Sequence, residues 1–149
     1  MQRDKRLKPV LHLAQNKVDE AARALGYLNQ KLAEETQLAQ QLSQYEQEYL
    51  QLMRGGDAPQ RAMDVQAVLR YQSFIQRLEQ AQLQQQEQIN LLNQQKAQVT
   101  AHWVKTRARA RAIESAIEAA QAQQQVWQNR LEQKQQDEAS VQRFAREMS

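Results

Sequence analysis

Gly55-Gly56-Asp57-Ala58-Pro59 is the one cluster of turn-forming residues in this chain of 149. Glycine stops a helix readily, and proline suits the first turn of the next, where its missing N–H is not needed. Asp57 or Ala58 falls at the N-cap, and Asp57 is the better capping residue. Outside this cluster the chain holds one glycine, Gly26, and one proline, Pro9. Pro9 opens the first helix by the same logic. The punctuation therefore predicts a single coiled-coil domain over 1–149, with helix 1 at about 9–54 and helix 2 at about 59–146. At about 1.5 Å per residue these helices are roughly 70 Å and 130 Å long.

The composition agrees. There are 31 glutamines, and 41% of residues are hydrophobic, with a mean hydropathy of -0.88. Ala, Leu, Gln, Glu, Lys and Arg are good helix formers. Near-absence of breakers excludes a β fold, an α/β enzyme and a disulfide scaffold. Zero cysteines removes disulfides, thiolate zinc sites and cysteine nucleophiles together. The net charge of +3 permits an acidic partner without requiring nucleic acid. No apolar run approaches the ~20 residues that span a bilayer. The apolar patch of Val10, Leu11, Leu13 and Ala14 is interrupted by His12, unlike a secretory leader. The expectation is a cytoplasmic chain with no integral membrane insertion.

Hydrophobic period supplies the architecture. In helix 1, steps of three and four visit Leu11, Ala14, Val18, Ala21, Leu25, Leu28, Leu32, Glu35, Ala39, Leu42, Glu46, Tyr49 and Met53, of which eleven are apolar. The same stepping from Val68 to Ala145 in helix 2 finds sixteen apolar residues among twenty-three. A stripe repeating every 3.5 residues is a coiled-coil seam, and each helix can bury it only against another helix. A short turn forces antiparallel pairing. The predicted fold is all-α, a two-helix antiparallel coiled-coil hairpin. With a five-residue turn, facing residues have numbers summing to about 114, so Leu11 meets Trp103 and Leu25 meets Ile89. Helix 2 then loses its partner near residue 105. About 40 residues overhang, carrying Ile113, Ile117, Ala120, Trp127, Leu131 and Val141. An exposed stripe of that length predicts a partner that covers it.

Catalytic chemistry is not visible. Gly55-Gly56 lacks the Lys-Ser/Thr of a phosphate loop. His12 and His102 also sum to 114, but two histidines without a third ligand do not hold zinc. Glu34-Glu35 and Asp137-Glu138 read as solvated helix faces, and a two-helix rod offers no pocket in which to desolvate an acid or base. The sequence thus predicts no enzyme, no metal and no cofactor.

Two features admit a binding reading beside a plainer one. No acidic residue lies between Glu87 and Glu114, whereas Lys96, Lys105, Arg107, Arg109 and Arg111 do. They flank the seam on both sides, either as a solvated rim or as contacts for an acidic collar. The run sits mid-helix in an antiparallel hairpin, which argues against duplex DNA. Phe74 lies one step off the seam beside Ile75. It is either part of a broad core or, with Leu78 one turn on, an outward docking anchor. Gly26 sits inside helix 1 at a cost of about 1 kcal/mol relative to Ala, which close helix approach would explain.

Laid out in this way, the chain resembles the FliJ family of the bacterial flagellar export apparatus. The resemblance rests on four motifs in order around one turn. They are Lys17-Val18-Asp19-Glu20-Ala21-Ala22-Arg23-Ala24-Leu25-Gly26, Tyr45-Glu46-Gln47-Glu48-Tyr49, Tyr71-Gln72-Ser73-Phe74-Ile75-Gln76-Arg77-Leu78-Glu79, and Leu131-Glu132-Gln133-Lys134-Gln135-Gln136-Asp137-Glu138. The last looks like the family's Lys-x-x-Asp-Glu signature. The resemblance implies a non-enzymatic stalk that inserts into the hexameric export ATPase ring, contacts the cytoplasmic domain of the export gate and exchanges with export chaperones. It implies a peripheral location on the cytoplasmic face of the inner membrane at the flagellar base. Tyr71, Phe74, Leu78 and Ala81 are then gate-facing. Val18, Ala22, Leu25, Ile113, Ile117, Trp127, Leu131, Lys134, Asp137 and Glu138 are ring-facing, and Arg107, Arg109 and Arg111 would meet acidic residues at the ring mouth. The alternatives are the equivalent stalk of a virulence type III secretion system and a coiled-coil chaperone or tether. A five-residue turn leaves no space for the β hairpins of a prefoldin-like chaperone.

Overall fold

The computed structural model describes residues 3–55 and 65–148. All of them are helical, in α1 (Arg3–Gly55) and α2 (Val65–Met148). The expected turn from Gly56 to Pro59, and the start of helix 2 near 59, lie outside the described residues. Helix 1 starts six residues earlier than expected, which places Pro9 inside α1. Its missing N–H leaves only the Lys5 carbonyl without a helical partner, and Pro9 is exposed, so water can supply one. Asp4 in the first turn suits the positive end of the helix dipole.

The chain divides into two compact units. One comprises Ala21–His102, and the other Met1–Glu20 with Trp103–Ser149. The first, the hairpin unit, pairs the C-terminal part of α1 with the N-terminal part of α2. Gln85 Nε2 donates to the Glu35 backbone carbonyl at 3.0 Å and also to the Glu35 carboxylate. Tyr49 stacks on Tyr71, with centroids 5.2 Å apart and planes 12° from parallel. The second, the terminal unit, is likewise antiparallel. Gln15 Nε2 donates to Glu114 Oε1 at 3.5 Å, and Arg3 and Asp4 line an open groove with Ala120, Gln124 and Trp127.

The stripe behaves as its period dictates. Every seam position from Leu11 to Met53 is buried or half-buried, and so is every one from Tyr71 to Gln124. Ala14, Ala21, Leu28, Leu78, Leu92, Ala110 and Ile117 form the buried core, yet none has less than 4% exposure. A seam between two helices is one side chain thick, so solvent reaches the flank of every layer.

The register differs from the expected one. Facing contacts sum to 120 for Glu35–Gln85 and Tyr49–Tyr71, 123 for Tyr49–Phe74 and 129 for Gln15–Glu114, rather than 114. α1 is described to Gly55 and α2 from Val65, and the facing sums run above 114. Packing then selects the layers. Taken unit by unit, a sum of 124 aligns the buried and half-buried steps of the two helices, as for Leu32 and Leu92 in the hairpin unit and Leu7 and Ile117 in the terminal unit. A sum of 114 matches only alternate layers and would face Leu28 with the exposed Gln86.

Both differences shorten the overhang. α1 covers α2 through Gln124, leaving 125–148 uncovered, a stretch of 24 residues rather than about 40.

Candidate partner-binding surfaces

Within the terminal unit, α2 changes character after Gln124. Ile113 and Ala120 are half-buried and Ile117 is buried. All three were expected on the bare overhang, but the N-terminal turns of α1 cover them. From Gln125 to Met148 every residue is exposed. Trp127 (54%), Leu131 (41%), Val141 (67%) and Phe144 (62%) carry large apolar surface into solvent. Two shallow grooves mark this stretch. One of about 440 Å³ is lined by Lys134, Asp137, Glu138, Val141 and Gln142. The other, of about 390 Å³, lies beside Val126, Trp127 and Arg130. Trp127, Leu131, Lys134, Asp137 and Glu138 are therefore brought together on one accessible segment. The sequence reading passed over Val126, Phe144 and Met148, which lie off the stripe or at its end.

The basic residues near the start of this unit's α2 segment are exposed. Arg107 lies over the Trp103 ring, with Cζ 5.1 Å from the centroid, a cation–π contact that covers a half-buried indole. Arg107 and Arg111 are one turn apart on the same flank, and Arg109 projects on the other. Neither Arg109 nor Arg111 has an ion-pair partner among the described residues. Val18 is half-buried in the seam of the same unit. In the hairpin unit, Ala22 is exposed and Leu25 half-buried in its seam.

The hairpin unit also holds an aromatic groove of about 520 Å³, lined by Tyr45, Glu48, Tyr49, Leu52, Phe74 and Leu78. Phe74 packs on Tyr49 with centroids 4.5 Å apart, yet remains 42% exposed. Phe74 thus widens the core and stays accessible. Leu78 departs from expectation: it is only 8% exposed. It is a seam residue and forms the groove floor rather than an outward anchor. Tyr71 and Ala81 are half-buried. Tyr45 and Leu52, exposed at 61% and 64%, complete the rim from α1. Their spacing from Tyr49, one helical turn to either side, is the signal in the sequence that marks this rim.

His12 belongs to the terminal unit and His102 to the hairpin unit, and both are exposed. Among the described residues no group of three His, Cys, Asp or Glu could hold a metal. No described helix is long and apolar enough to cross a membrane. Gly26 has nothing within 4 Å of where a Cβ would stand, so close helix approach does not account for it.

Comparison with known proteins returns one family model, described as Flagellar FliJ protein, which matches residues 3–149. No curated protein and no solved structure matches.

Proposed function

The chain belongs to the flagellar FliJ family and is a protein of flagellar export; on that premise we propose that it is a non-enzymatic stalk, held by the hexameric export ATPase ring and linking that ring to the export gate. The observation that carries this reading is the uncovered stretch 125–148. Burying a large apolar side chain is worth about 1.5–3 kcal/mol. Trp127, Leu131, Val141 and Phe144 together give a sheath a substantial reason to bind. Lys134, Asp137 and Glu138 on the same segment give it polar contacts that fix orientation. Arg109 and Arg111, without ion-pair partners among the described residues, suit an acidic collar at the ring mouth.

The aromatic groove is the proposed gate contact. Phe74 and Tyr45 form accessible walls, Leu78 a greasy floor, and Tyr71 and Ala81 the adjoining surface. Val18, Ala22 and Leu25 are kept as ring contacts on the family resemblance. Ala22 alone of the three is exposed. Escort of export chaperones and a place on the cytoplasmic face of the membrane at the flagellar base complete the reading. The flagellar family match favours this system over a virulence secretion stalk.

Size-exclusion chromatography with light scattering, alone and with the cognate ATPase, tests the proposal. The chain should co-elute with the ATPase hexamer, and Trp127→Ala with Leu131→Ala should abolish co-elution without loss of helix. Binding that survives the double substitution refutes the stalk.

A further inference from the structure

The distal stretch of α2 carries a pattern beyond exposure. Its seam positions are Trp127, Leu131, Lys134, Glu138, Val141 and Ala145. Laid antiparallel on itself with facing numbers summing to 272, this series closes. Trp127 stands opposite Ala145, Leu131 opposite Val141, and Lys134 opposite Glu138. We propose that the occupant of this face in the free protein is a second copy of the chain, the two 125–148 segments pairing as a reversible antiparallel coiled coil.

Three observations point to that occupant. First, the layers are complementary in size, with the largest side chain of the series meeting the smallest and two aliphatics of middle size meeting each other. Second, they are complementary in charge. The two-fold axis generates the Lys134–Glu138 layer twice, each with opposite signs. A parallel dimer would set Lys134 on Lys134 and Glu138 on Glu138, and like charges at a seam oppose pairing. The groove lined by Lys134, Asp137, Glu138 and Val141 sharpens this, because its two carboxylates stand where the register delivers Lys134 of the second copy. Third, the new cover begins where the old one stops. α1 covers α2 through Gln124, and the register places Met148 of the second copy opposite Gln124. A groove of about 400 Å³ bounded by Arg3, Asp4, Gln124 and Trp127 lies at that junction, ready for the Met148 side chain.

The paired stretch is about 36 Å long at ~1.5 Å per residue. It is a small interface with two charged layers, so association is weak and depends on concentration. The same residues face the ring in the proposed stalk, so the two states exclude each other. The self-pairing rests on the register alone and stands or falls without the ring.

Sedimentation equilibrium of the full chain, from low micromolar to near-millimolar concentration, reads the prediction directly. The weight-average mass should climb from one chain toward two. Lys134→Glu should raise the dissociation constant about tenfold or more, and Lys134→Glu with Glu138→Lys should restore it. Both positions are exposed in the single chain, and circular dichroism should show unchanged helix. A mass that stays at one chain throughout, or a double reversal no better than the single one, overturns the proposal. Direction has its own readout, since the chain has no cysteine. A mixture of Leu131→Cys and Val141→Cys chains should oxidise to a cross-linked pair, while Leu131→Cys alone should not. Efficient cross-linking of Leu131→Cys with itself would make the pairing parallel and refute the register.

Discussion

Residues 103–124 and 125–148 belong to one unit, lie on one helix and follow one hydrophobic period, yet the first stretch is seamed and the second is bare. Ile117 and Leu131 occupy equivalent steps of the stripe; one is 7% exposed and the other 41%. Nothing in their local sequence sets them apart. The difference is whether an N-terminal turn of α1 stands opposite. A period of 3.5 residues announces that a face must be covered, and the length of the facing arm decides which part the chain covers itself.

The sharpest way to break this comparison is to truncate both residues. Ile117→Ala should destabilise the chain by about 2–4 kcal/mol, because it opens a void in a packed layer. At low micromolar concentration, where the chain is single, Leu131→Ala should change unfolding in urea by less than about 0.5 kcal/mol, since its side chain is 41% exposed in the single chain. Equal losses would mean that the distal face is covered after all.

A smaller contrast lies inside the hairpin unit. Leu28 and Leu92 are buried, whereas Gln82, Gln85 and Lys96 are polar residues on the same seam. Amide exchange near Gln82 and Gln85 should run about tenfold faster than near Leu25 and Leu28. Slower exchange would show that the Gln85–Glu35 hydrogen bonds outweigh the missing apolar contacts. Gly26→Ala should stabilise by about 0.5–1 kcal/mol, through helix propensity alone, because the added methyl meets nothing. Smallest in its effect on folding is Arg109→Glu with Arg111→Glu, expected within about 0.5 kcal/mol of the parent by thermal melting. The same reversal should weaken ATPase co-elution at low salt, and unchanged co-elution would remove the acidic collar from the stalk reading.

Helix type, antiparallel pairing and the seam itself were legible because they depend on local periodicity. Each step from Leu11 to Met53 could be named from the sequence and is at least half-buried. The register was not legible. It depends on where the chain turns back, and the turn residues mark a break without fixing how many residues the fold-back consumes. Pro9 misled for a related reason. Proline is favoured at a helix start but is tolerated one turn further in, when solvent can satisfy the freed carbonyl. The two errors added, lengthening the apparent overhang and placing Ile113 and Ile117 on it. Leu78 shows the limit at the aromatic groove. Its position on the stripe predicted burial, and only the rim contributed by Tyr45, Tyr49 and Leu52 shows that a buried leucine can also floor an accessible groove.

None of the described side chains is fully sequestered in either unit. Such an arrangement has no keystone. Each rung of the ladder is held by its immediate neighbours, so loosening one rung leaves distant ones fastened. Interlocking of this kind lets a visiting helix take over rungs one at a time, without first dismantling a globular centre. A rod fastened in that way keeps its remaining rungs when one of them changes partner.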